Sequence, residues 1–197
     1  MNRFLGKHDF RLLDPINPVS ILPTVFRRLT RKRVEPMNVT GPLENLKIDR
    51  NPNRIYRVGT VASFEDIPAS LDPCSPHFIL LMALDASSLE NERIRAIAKT
   101  LMSRGLAGFS VWGPDCSRVH DQFDIKRDPN ETDERVIVTT WHENEPLSEA
   151  VCYFDLCAYP SADFERDCID WVAIAVGNKR WAKEMRTVLI NGFDGAE

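Results

Sequence analysis

Glycine is scarce in this sequence, with nine in 197 residues and none between Gly59 and Gly105. The first long apolar run, "HFILLMALD" (77–85), lies inside that gap. A dinucleotide fingerprint needs G-x-G-x-x-G directly behind such a strand, where backbone must approach a pyrophosphate. "ALDASSLE" holds no glycine, and G-x-x-x-x-G-K-[ST] occurs nowhere. NAD and ATP bound by those routes are excluded, and no cofactor is expected. Paired cysteines are also missing. Cys74, Cys116, Cys152, Cys157 and Cys168 make an odd count without a C-x-x-C. That fits a reducing cytoplasm better than a secreted disulfide scaffold. H-E-x-x-H and D-x-D are absent as well, so no metal is assigned. The longest apolar stretch near the start, "ILPTVF", is too short and too proline-broken to span a bilayer. With no signal-peptide h-region in view, a cytoplasmic protein without membrane contact is expected.

What is present is ordinary globular material: 43% hydrophobic and 27% charged residues, net charge −4. The charge is unevenly spread. Residues 1–35 carry +5 and the remainder −9. Residues 1–53 contain Pro15, Pro18, Pro23, Pro36, Pro42 and Pro52, a density that stops regular elements. This part reads as a basic, Pro-rich arm with one short helix over 24–33. Residues 54–197 read as a single α/β domain.

Within that domain, four strand–helix units follow one another. "RIYRVGTVASF" (54–64) reads as an edge strand or hairpin, and "EDIPASL" as a helical turn. "HFILLMALD" has the near-continuous apolarity of a strand buried on both faces. Behind it, Ser87 and Glu90 have capping-box spacing. Ile94, Ile97, Ala98, Leu101 and Gly105 then follow the helical i, i+3, i+4, i+7 pattern. "LAGFSVWG" is the next strand, with a short helix marked by Val119 and Phe123. "RVIVTTWHE" (135–143) follows, read as a central strand in which Val138→Asp would be ruinous. Its helix buries Leu147, Ala150, Val151 and Phe154, with Cys152 and Cys157 packing as small hydrophobes. "DWVAIAVG" (170–177) is the last strand, and Asn178 is the N-cap of the last helix, which carries Trp181, Met185, Val188 and Leu189. Units of this kind need right-handed crossovers. The expected architecture is a three-layer, Rossmann-like or flavodoxin-like sandwich, with a mainly parallel sheet of four to five strands. Residues 124–134 read as an exposed loop.

Open parallel sheets bind ligands where their strands finish. Here the finishing residues are polar. The catalytic candidates are Asp85, Cys116, His120, His142 and Glu143. Cys116 would start a helix whose N-terminus lowers a thiol pKa, with His120 one turn on as its base. The ligand-binding candidates are Ser87, Trp112, Asp115, Thr140 and Asn178. On the arm, Arg27, Arg28, Arg31, Lys32 and Arg33 form a docking stretch for a protein partner or a second copy. Nucleic acid is not an expected partner, because the run has one aromatic neighbour, Phe26, and sits on an acidic body.

"WGPDCSRVHDQFD", "VIVTTWHENEPLSEAVCYF" and "DWVAIAVG" together resemble a small bacterial α/β domain family of unknown function, over roughly residues 77–189. The resemblance implies a compact α/β domain of bacterial origin and carries no catalytic residue with it. Two functions remain open. The leading one is a non-enzymatic protein-binding or regulatory module. The alternative is a small-molecule-binding or hydrolytic enzyme using the crevice at the strand ends.

Overall fold

The computed structural model describes residues 43–124 and 136–192. The driest apolar runs, at 77–83, 106–112 and 168–176, become strands paired on both sides, which satisfies their backbone groups away from water. The strands are β1 (Glu44–Leu46), β2 (Ile55–Val61), β3 (His77–Ala83), β4 (Leu106–Trp112), β5 (Val138–His142) and β6 (Cys168–Val176). The helices are α1 (Ile67–Ser70), α2 (Asn91–Ser103), α3 (Cys116–Phe123), α4 (Leu147–Leu156) and α5 (Lys179–Asn191). The sheet order is β1-β2-β6-β3-β4-β5. β1 pairs antiparallel to β2, and every other pairing is parallel. The expected α/β sandwich is therefore observed, with six strands among the described residues.

Handedness explains the layers. Going from β2 through β3 and β4 to β5, the chain advances in one direction, and α1, α2 and α3 cover one face with Leu80, Met82, Phe109 and Ile174. From β5 it steps back to β6, so a right-handed crossover puts α4 on the opposite face. There α4 and α5 cover Tyr56, Ile79, Leu81 and Trp171. The chain thus leaves β4 toward one face and β5 toward the other. In open parallel sheets, the ends of strands that diverge in this way are the place where ligands bind.

Several local expectations shift. β2 is an internal strand, because β1 takes the edge position outside it. β1 comes from the segment read as arm, and Leu46 and Ile48 are in the core. β5 is the outermost strand, not a central one, and Val138 is 41% exposed. No capping box forms at Ser87. α2 starts at Asn91 with Glu90 at its N-cap, and Ser87 Oγ donates to Asp85 Oδ1 instead. The box forms between Ser63 and Asp66, ahead of the turn leading to α1. Gly105 lies past the end of α2 at φ +95°, where a Cβ would strike Pro76 O, so it serves the turn and not the helix face. Cys152 is half-buried and Cys157 exposed at the end of α4. Asn178 caps α5 as expected, accepting from the N–H groups of Arg180 and Trp181. The helix read over 24–33, most of the loop over 124–134 and the basic stretch Arg27 to Arg33 lie outside the described residues.

Candidate functional site

The strand starts and the strand ends differ in how they treat charge. Where β6 starts, Asp170 is wholly buried and its carboxylate is saturated. Oδ1 accepts from Arg57 at 2.7 Å and from the Cys74 thiol at 3.2 Å. Oδ2 accepts from the Ser75 amide and hydroxyl, each at 2.8 Å. Nearby, Asp155 of α4 accepts from Arg50, from Asn51 Nδ2 at 2.9 Å and from the Tyr56 hydroxyl at 2.6 Å. Arg54 lies over the rings of Tyr159 and Trp171. Carboxylates with every lone pair engaged hold loops together and have nothing left to offer a ligand. Burial and Asp155 push the Tyr56 phenol up to about 12, and burial and the Asp170 charge do the same to the Cys168 thiol.

At the finishing ends, the candidates fall into separate groups. Asp85 is exposed and accepts from the amide and hydroxyl of Ser87, which lowers its pKa. Asp115 sits at φ +61° and pairs with Arg118. Arg118 also reaches Asn91 Oδ1 at 2.6 Å and Ala86 O at 2.7 Å, stitching the loop after β3 to the loop after β4. Asn178 is occupied as a cap. Cys116 is fully buried, and burial pushes its thiol up, only partly opposed by hydrogen bonding to the His142 backbone. A thiol held protonated is a poor nucleophile. His120 turns to other partners: its Nε2 is 3.1 Å from Thr139 Oγ1, and its ring lies 4.5 Å from that of Trp141.

One group does assemble, on the α4 side of β4 and β5. Register sets Ser110 beside Thr140 and Trp112 beside His142, so alternation puts all four side chains on one face. Ser110 Oγ and Thr140 Oγ1 are 2.9 Å apart. Thr140 Oγ1 is 3.4 Å from His142 Nε2, and His142 Nδ1 is 2.6 Å from Glu145 Oε1. The imidazole is 8% exposed and packs 4.9 Å, ring to ring, from Tyr153. Trp112 donates Nε1–H to Glu145 O and meets the Trp181 ring edge-on at 5.2 Å. Glu143, the catalytic candidate next to His142 in the chain, is exposed to solvent and is not the carboxylate that meets the ring. Glu145 takes that place because Asn144, at φ +63°, folds the chain back within three residues. Ser110, Glu145, Tyr153 and Trp181 were not legible as site residues. An H-x-x-E spacing ahead of Pro146 was the one available sign for Glu145.

Chemically, the arrangement is an ordered hydrogen-bond chain. With Nδ1–H donating to the carboxylate, the neutral ring leaves Nε2 as an acceptor facing a hydroxyl. Among the described residues no set of three or more His, Cys, Asp or Glu side chains gathers as a metal site. None of the described helices is long and apolar enough to cross a membrane.

Fold and rim together define an α/β domain with a mostly parallel sheet and polar side chains where its last two parallel neighbours, β4 and β5, finish. Residues 57–191 match the family described as "Domain of unknown function (DUF7684)", and the chain belongs to that family. No curated protein and no solved structure matches it.

Proposed function

We propose that this domain is a protein-binding module that docks through the outer edge of β5, and that a second copy of the chain occupies that edge. One contrast carries the reading. The two outermost strands are protected unequally. β1 is three residues long, and its Glu44 is ion-paired with Arg186. β5 presents V-T-T-W-H, with no charged acid or base and no proline in the strand. Val136 (61%), Val138 (41%) and Trp141 (51%) are exposed on or beside it. Among the described residues no strand pairs with the outer edge of β5, and an uncharged edge of this kind is a template for further pairing.

A second copy fits because the strand repels nothing when it meets itself. Antiparallel pairing centred on Thr140 sets Val138 against His142 and Thr139 against Trp141, with no like charges opposed. Pairing in the sheet plane leaves both faces of β5 free. The test is sedimentation velocity of the full chain across micromolar to submillimolar concentrations. A monomer–dimer equilibrium is expected, shifted to monomer by Trp141→Lys with Val138→Lys. A wild-type chain that stays monomeric throughout, or a variant that dimerises equally well, overturns the reading. The enzymatic alternative is supported by the hydrogen-bond chain that links Thr140, His142 and Glu145.

A further inference from the structure

The geometry points to a nucleophilic site for acyl esters, in which Thr140 is the nucleophile, His142 its base and Glu145 the group that orients the base. Three observations carry it. The two ring nitrogens of His142 are used in the order that nucleophilic catalysis requires: carboxylate on Nδ1 at 2.6 Å, hydroxyl at Nε2 at 3.4 Å. A nucleophile–base contact of this length is usual before substrate binds and tightens on binding. The ring is also fixed, being buried, packed on Tyr153 and tied to the turn that Asn144 makes. Lastly, Thr140 is not sealed into the core. Thr140 is half-buried on an edge strand, and α4 packs over β4 and β3 further in. Exposed Val138, on the same face two residues before, gives an apolar neighbour for the acyl chain. The substrate class is therefore an ester of a short apolar acid, with water as co-reactant.

The chemistry balances without any further group. Thr140 Oγ1 bonds to the ester carbonyl carbon as its proton passes to His142 Nε2. The ester C–O bond breaks, and the departing alkoxide takes that proton. Water then attacks the acyl-Thr140 ester, giving its proton to Nε2, and the acid leaves as Thr140 recovers its hydrogen. Ser110, 2.9 Å from Thr140 Oγ1, positions the hydroxyl. A similar constellation lies on the other face of β5, where His120 contacts Thr139. Its acid, Asp121, is 73% exposed and 3.4 Å from Nδ1, so that imidazole lacks a firm orienting partner. The two faces thus supply an internal comparison.

The experiment treats the full chain with a fluorophosphonate probe and maps the adduct by peptide mass, alongside hydrolysis of p-nitrophenyl butyrate. An adduct on Thr140 is expected, retained by Thr140→Ser and absent from Thr140→Val. His142→Gln should slow labelling about a hundredfold or more. Glu145→Gln should slow it about tenfold and displace the acid limb of its pH–rate profile, which a purely structural role would not do. No adduct on the wild-type chain, or an adduct on Thr139 or any other residue, overturns the proposal. So does labelling undiminished in a folded Thr140→Val chain. Because Trp141→Lys leaves the relay untouched, loss of dimer with labelling intact separates this inference from the docking reading.

Discussion

Strand β6 has a neighbour on each side, and every residue from Asp170 to Ala175 is buried. Strand β5 has one neighbour, and Val138 and Trp141 stand in solvent while Thr139 and Thr140 are half-buried. Both are parallel strands rich in β-branched and aromatic residues, and both carry an acid–base contact. In β6 that contact is Asp170 with Arg57, closed by four donors around a carboxylate with 0% exposure. In β5 it is His142 with Glu145, where the carboxylate is 31% exposed and a threonine hydroxyl faces the free ring nitrogen. Position in the sheet decides what a polar side chain does. In the centre it is spent on holding the fold, and at the edge it keeps an open side.

The comparison breaks most sharply at its centre. Val172→Asp puts an unpaired carboxylate at a position with 0% exposure. The cost should reach roughly 5 kcal/mol or more, the scale of a whole domain's stability, and leave no cooperative melting transition. Asp170→Asn is nearly as severe. It strips the ion pair from Arg57, itself 7% exposed, whose guanidinium then has no counter-charge in the core. Breaking a buried pair from one side costs about 3–5 kcal/mol, readable as a lowered urea midpoint. A chain that melts like wild type after either change would mean the centre of the sheet is not the dry core described.

Alkali should find the same buried end. Tyr56 ionises at 10.0 when free and at about 12 in the fold, Cys168 at 9.0 and about 12. In both cases burial is the first cause and disfavours the charged form. The folded pKa is raised, so the stability these groups contribute is complete below pH 9. It is lost as pH rises through 12, because the unfolded chain releases protons first. For Tyr56 alone the loss approaches about 3 kcal/mol. Melting temperature should fall steadily from pH 9 upward, and tyrosinate absorbance from Tyr56 should appear only with unfolding. Tyr56→Phe should flatten the part of that decline above pH 10.

Much of this contrast was written in the sequence, though only half of it was readable. "DWVAIAVG" is apolar at nearly every position, as a strand buried on two faces must be, and β6 is that strand. "RVIVTTWHE" holds two threonines, a tryptophan and a histidine in its finishing half, a polarity that suits a strand with one open side. Strand order hid the rest. Nothing local tells β6 to insert between β2 and β3, since that follows from crossovers tens of residues long. Asp170 and Arg57 are 113 residues apart, so no spacing could pair them. Glu145 was closer to hand, but only an αL residue at Asn144 makes its return to His142 possible. The polar residues of the finishing rim were visible one by one in the sequence. Which of its residues meet was decided by register, which sets Ser110 against Thr140 and leaves Asp85 with Ser87.

The sharpest small test repeats the valine substitution on the edge. Val138→Asp makes the same chemical change as Val172→Asp, but at 41% exposure and on a strand with one neighbour. The new carboxylate keeps its water, so the desolvation that ruins the centre is absent. The stability change should stay within about 0.5–1 kcal/mol. Trp141→Lys should be milder still, because the ring is half in solvent and a lysine stem covers much of the same strand surface. Both edge variants should therefore fold and melt close to wild type, and differ from it in self-association. If Val138→Asp proved as destabilising as Val172→Asp, β5 would have to be covered in the free chain, and neither an open docking edge nor a reachable Thr140 would remain.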